Sequence, residues 1–262
     1  MKCFTNHLRR ELANVIFAPL LIVKLSMKMN PRFLVIPALI AGLQAASAAD
    51  ITGTVTLKGT PPPEKSIDAI TSDPNCGKLH SGPVKTQFYV VGSKGELKDV
   101  VVVVRGISGK SAGESAAPLV MDQKGCEYVP YVTAVQSNQK IVVKNSDPVL
   151  HNIHPTPTGN GNKEVNKAQM AGGPDITFTF ATPEDFLRFK CDVHPWMFGY
   201  VTVVDHPYFA VTDKDGNFKI ANVPPGKYTV EAMHRKAGKD SKPVEVKSDN
   251  VKQDFTLSVP AQ

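Results

Sequence analysis

The stretch FKCDVHPWMFGY sets a cysteine, a histidine and a methionine three residues apart, at Cys191, His194 and Met197. A thiolate, an imidazole and a thioether on one short loop are donors that copper favours, because soft ligands select it. Upstream stands a second imidazole run, His151-Asn152-Ile153-His154. The bland alternative is a chance cluster of core-filling side chains. Zinc fits less well, since it wants a closed tetrahedral set and methionine serves it poorly. The acids of Asp213-Lys214-Asp215-Gly216 suggest calcium, but the remaining acids of a calcium loop are missing and the run reads as a β-turn.

The elements that must position these donors are almost all strands. From Asp50 onward, runs such as ITGTVTLKG, DVVVVVRG, KIVVKN, ITFTF and YVTVV are cut by Gly, Pro and Asn turns. Ile176, Phe178 and Phe180 alternate with Thr177 and Thr179, the period-two mark of a half-buried strand. The expected fold class is all-β, with antiparallel strands at sandwich spacing. One helical turn is expected, around residues 163–171.

Two architectures are interleaved along the chain. The tail resembles the carboxypeptidase regulatory-like, transthyretin-like sandwich. That family's run T-D-x-D-G-x-F…N-x-P-P-G-x-Y stands here as Thr212, Asp213, Asp215, Gly216, Phe218, Asn222, Pro224, Pro225, Gly226 and Tyr228. The resemblance implies an opening strand and an early partner, matched by ITGTVTLKG at 51–59 and LKDVVVVVRG at 97–106. The expected organisation is a leader at 1–49, a first host segment at 50–112, an inserted copper domain at 115–205 and a second host segment at 206–262. Insertions of this kind succeed where chain ends lie close together. The alternative, an extended first domain followed by a half-size sandwich, leaves the tail a thin core.

From Tyr128 to Val204 the donor order H-N-x-H, then C-x2-H-x2-M before a strand, resembles the cupredoxin or blue-copper family, and its amicyanin-like members most. The resemblance implies a Greek-key β-sandwich holding one copper that cycles between Cu(I) and Cu(II). By the family's pattern His151, Cys191 and His194 lie in a trigonal plane and Met197 is the weak axial ligand that tunes the potential. His154, read as sharing the strand face of His151, competes for its place. Asn152 is expected to tie the two ligand loops together by hydrogen bonding. His194 is expected to face outward and pass electrons through its exposed edge. Pro195, Trp196 and Phe198 would then surround it as an apolar docking patch for a redox partner protein. His80, His206 and His234 lack ligand-like spacing and read as surface or turn residues.

Charge and cysteine usage bound the function. Of the formal +6, residues 1–49 carry +5, leaving a body of +1 with no basic run, so a nucleic-acid partner is not expected. Lys28 and Arg32, the apolar stretch Phe33–Leu43 and Ala46-Ser47-Ala48 read as an export signal cleaved before Ala49 or Asp50. Neither apolar run there reaches the roughly 20 residues a membrane span needs, and Lys24 with Lys28 parts them. The expected location is periplasmic or secreted. Export leaves Cys76, Cys126 and Cys191, and an odd count suggests a Cys76–Cys126 disulfide with Cys191 kept for metal. There is no nucleophile motif, no phosphate-binding glycine loop and no second copper cluster, so electron carriage is expected rather than catalysis. Copper delivery without redox work and a carbohydrate-binding or adhesion module are the rival readings.

Overall fold

The run Val101–Arg105 is the strand on which the architecture turns. Val101, Val102, Val103 and Val104 are all fully buried. Successive strand side chains point to opposite faces, so both faces of this strand are covered. Val102 and Val104 enter one core with Ile51, Val55, Phe218 and Phe255. Val101 and Val103 enter another with Val132, Tyr200, Val204 and Met233. An unbroken valine run suits such a strand, each buried valine contributing about 1.5–3 kcal/mol over its exposed state.

The computed structural model describes residues 47–159 and 161–261. The expected leader at 1–49 lies almost wholly outside the described residues. The described residues are all-β with almost no helix, and their strands form two sandwiches. In the first, Ala49–Lys58 pairs antiparallel with Asn217–Val223 and parallel with Val251–Lys252 and Phe255–Ser258. Its facing sheet runs Phe209–Val211, Val101–Arg105, Gly226–His234, Gly238–Val246. The turn between Phe209–Val211 and Asn217–Val223 is closed by Asp213, whose Oδ1 accepts the N–H groups of Asp215 and Asn217. Gly216 takes φ +70° there, and a Cβ would meet the Val55 carbonyl oxygen at 2.6 Å, so only glycine fits.

The second sandwich carries the candidate site. One sheet runs Val132–Gln136, Phe198–Val204, Glu184–Lys190, His151–Thr156, Lys167–Gln169. The other runs Tyr128–Val129, Leu119–Gln123, Ile141–Asn145, Ile176–Phe178. Phe178, Phe180, Leu187, Phe189 and Val201 fill the space between them. The helical turn expected around 163–171 is instead the strand Lys167–Gln169, with Gln169 opposite His151. Gln169 is buried; its Nε2 donates to the Val143 and Pro174 carbonyls and its Oε1 accepts from Gln123 Nε2. Interior hydrogen bonds of this kind override the weak helix propensity of a short segment.

The segment between Lys58 and Val101 holds a five-residue helix, Asp68–Ser72, and a single 3-10 turn, Gly77–Leu79. Cys76 between them is joined to Cys126, with Cα atoms 5.7 Å apart. The disulfide expected from the cysteine count is therefore present.

Candidate metal centre

Strands His151–Thr156 and Glu184–Lys190 are antiparallel neighbours, with Lys190 opposite His154. The start of one strand therefore lies beside the end of the other, which brings His151 near Cys191. The chain leaving Cys191 is held as a tight loop by two backbone hydrogen bonds, Met197 N–H to His194 O at 2.8 Å and Cys191 N–H to Met197 O at 3.0 Å. Phe198–Val204 then returns to the sheet. The loop thus turns His194 back over Cys191.

Three donor atoms converge. His151 Nδ1 and His194 Nδ1 are 3.0 Å apart, and Cys191 Sγ lies 4.0 Å from the first and 3.6 Å from the second. An ion at the centre of a planar set, with bonds of about 2.0–2.3 Å, would hold its donors about 3.5–3.7 Å apart. The three separations of 3.0, 3.6 and 4.0 Å bracket that range. Met197 is 1% exposed and packs in the apolar cluster that contains Cys191. The donor set of two imidazoles, a thiolate and a thioether therefore fits one copper ion.

The surroundings tune these groups. His151 Nε2 donates to Asp147 Oδ2 at 3.0 Å, and the Asp147 carboxylate also accepts the Gly125 and Cys126 N–H groups, each at 2.7 Å. Burial pushes Asp147 up, but these partners outweigh it and hold the carboxyl below its ordinary value. Burial pulls His151 down, but Asp147 and Cys191 raise it above the usual imidazole range. At Cys191 burial is outweighed by hydrogen bonds from His151 and from the Asn152 N–H, which lower the thiol. His194 is pulled down by burial and then by the charge of His151.

Asp147 was not visible in the donor spacing. The signal that would have found it is the turn Asn145-Ser146-Asp147, one strand-end ahead of His151, since a buried acid beside a ligand histidine orients that ligand.

Several expectations change. His154 is three residues from His151, so it points to the opposite strand face. Its Nδ1 meets Asp192 at 2.7 Å and its Nε2 meets Glu164 at 2.6 Å, away from the donor triangle. Asn152 does tie the loops, but through its backbone N–H, which donates to Cys191 Sγ at 3.2 Å; its side chain donates to Asn166. His194 does not face outward: it is 6% exposed. The Trp196 ring lies 5.2 Å from its ring, and the two disulfide sulfurs and a His194 nitrogen lie within 4.8 Å of one another. The residues open to solvent on this loop are Asp192, Val193 and Pro195, with Trp196 and Phe198 half-buried. His206 lies in a bend and His234 ends a strand, both are buried, at 2% and 5% exposure, and neither reaches the triangle.

The family model described as the second beta sandwich domain of BOS complex subunit NOMO1-like proteins matches residues 206–260. No curated protein matches the chain. Among solved structures, the copper-containing nitrite reductase of Thermus scotoductus SA-01 is similar at 18% identity and TM-score 0.31, over 34% of this chain. The chain spans only 23% of that enzyme's length. Two amicyanin structures, one in the Cu(I) form and one oxidised, each align at 20% identity and TM-score 0.30, covering 39% of this chain and 97% of theirs. These are similarities of part of the chain. Among the described residues no helix is long and apolar enough to cross a membrane.

Proposed function

We propose that this chain is an exported mononuclear blue-copper protein that carries single electrons, with residues 115–205 inserted as the copper domain into a host sandwich made of 50–112 and 206–262. The observation that carries this reading is the convergence of His151 Nδ1, His194 Nδ1 and Cys191 Sγ within 4.0 Å of one another, with Met197 buried beside them. When bound there, copper would supply a one-electron couple between Cu(I) and Cu(II).

The protein's own groups prepare the site. Asp147 accepts a hydrogen bond from the Nε2–H of His151, which leaves the lone pair of Nδ1 facing the metal position. The Asn152 N–H stabilises a thiolate at Cys191 and holds its direction. The two backbone hydrogen bonds of the loop fix the spacing between Cys191, His194 and Met197. Donors already held at bonding separations need little rearrangement when the charge at the centre changes. All four positions come from protein, which leaves no place for a substrate and favours carriage over catalysis. Export is supported by the buried disulfide, a feature of oxidising compartments. A redox partner would dock on the loop near His194, at the exposed Pro195 flanked by Trp196 and Phe198.

The test is the visible spectrum of the oxidised, copper-loaded protein. An intense thiolate-to-copper band is expected. A protein that binds copper tightly and stays colourless would overturn electron carriage in favour of copper holding without redox work.

A further inference from the structure

The disulfide between Cys76 and Cys126 sits against an imidazole. Both sulfurs and a His194 nitrogen lie within 4.8 Å of one another, and both cysteines are wholly buried. We propose that reduction of this disulfide creates a second metal site, in which Cys76 Sγ, Cys126 Sγ and His194 hold one Cu(I) ion.

The backbone keeps the two sulfurs together even without their bond. Asp73 Oδ1 accepts the Asn75 and Cys76 N–H groups, each at 2.8 Å. Asp147 accepts the Gly125 and Cys126 N–H groups, each at 2.7 Å, on a turn where these residues take φ +68° and +56°. His80 Nε2 donates to the Gly125 carbonyl at 2.8 Å. Each cysteine thus has its own carboxylate anchor, and the two thiols stay facing each other and His194. Their Cα atoms stand 5.7 Å apart. Rotation about Cα–Cβ lets the sulfurs part to the roughly 3.5–4 Å needed by two donors on one ion.

The donor set selects the ion. Thiolates favour Cu(I), and two of them with one imidazole make a three-coordinate site. Zinc wants four ligands, and the carboxylate beside these cysteines, Asp147, already serves His151 and two N–H groups. A dithiol supplies the two electrons. Its own sulfurs close into a disulfide, the Cys76–Cys126 bond breaks, and each cysteine becomes a thiol. Each thiol releases its proton as its sulfur bonds the ion. The bond is reachable because its cover is thin. Ile70, Cys76 and Cys126 are the buried members of a small cluster outside the sandwich cores. Such satellite clusters under loops open at less cost than packed sheets.

A neutral imidazole has one lone pair, so His194 serves this site or the Cys191 set, not both. The state of the disulfide would therefore decide where the chain holds copper, a consequence that rests on the copper reading above. The second site itself needs neither Cys191 nor Met197, so it stands or falls apart from that reading.

The full chain carrying Cys191→Ser isolates the new site. It is treated with dithiothreitol while folded, freed of the reagent without oxygen, and titrated with Cu(I) against the coloured chelator bicinchoninate. Alkylation of a sample before titration should modify both cysteines. The reduced chain should take up Cu(I) about tenfold or more tightly than the unreduced chain. Adding His194→Ala, which keeps the disulfide for folding, should weaken that uptake about tenfold or more. Adding Cys76→Ser should bring it to the unreduced level while the circular dichroism stays that of the parent. A bond that dithiothreitol cannot open in the folded chain, equal uptake before and after reduction, or uptake indifferent to His194→Ala would each overturn the proposal. None of these outcomes touches the visible band of the parent, so the two readings fail separately.

Discussion

Each sandwich buries an imidazole, and the two behave in opposite ways. His234 ends a strand of the first sandwich at 5% exposure, and its Nδ1 accepts the N–H groups of Ala237 at 3.0 Å and Lys236 at 3.3 Å. Burial, and then the charge of Arg235, pull it down to about 4. His151 in the second sandwich is wholly buried, yet it is raised, because Asp147 and Cys191 face it. Burial alone penalises the charged form in both places. The partners decide the outcome. An imidazole whose lone pair is taken by backbone N–H groups is a neutral structural pin. One whose far nitrogen is held by a carboxylate, and whose near nitrogen meets a thiol and a second imidazole, has the surroundings of a candidate metal ligand.

The sharpest break of this contrast is Cys191→Ser. The visible band of the copper-loaded protein should vanish completely, because the thiolate is its origin, while denaturant unfolding of the first sandwich stays close to that of the parent. Retention of the band in that variant would show that the thiolate is another cysteine. His151→Ala should lose the band as well, whereas His234→Gln should leave it intact.

Next in size is the covalent link that reaches from the first segment to the metal side. The double variant Cys76→Ser with Cys126→Ser opens a loop spanning a sequence separation of 50. It should lower unfolding stability by about 4 kcal/mol in the chain-entropy picture. Because the sulfurs lie against His194, the same variant should also increase solvent access to that imidazole, read as faster hydrogen exchange of its neighbours.

The buried imidazole of the first sandwich gives a pH signature. Its folded value of about 4 lies below the ordinary 6.5, so the unfolded chain binds the proton more readily in between. Stability is therefore fully present above pH 6.5 and falls as the pH drops toward 4, by up to about 3 kcal/mol. Urea midpoints across that window should show the slope in the parent and a flatter one in His234→Gln.

The smallest effect belongs to His154→Ala. Its contacts with Asp192 and Glu164 are at the surface, where such pairs contribute at most about 1 kcal/mol. The variant should keep both the visible band and nearly all of its stability. Loss of the band there would reverse the choice between the two histidines.

The all-β class was legible because period-two alternation and turn residues are local signals, read over five or six positions. The disulfide was legible from counting. The strand at Lys167–Gln169 was not, since Gln169 owes its place largely to Gln123 and Val143, both distant in sequence. Nor was the burial of His194. A loop histidine beside Pro195 has every local mark of exposure, and the cover comes from Trp196 and from a disulfide whose cysteines lie far upstream.

The sequence by itself determined most of the strands, the turn glycine at 216 and the types and order of the four candidate donors, because each depends on residues near one another along the chain. Only the tertiary structure decided which donors meet. It turned His154 away, brought Asp147 to the back of His151, and closed His194 beneath the disulfide. Those outcomes depend on which strand ends become neighbours across the sheets, and that is set by packing among distant side chains rather than by any local pattern.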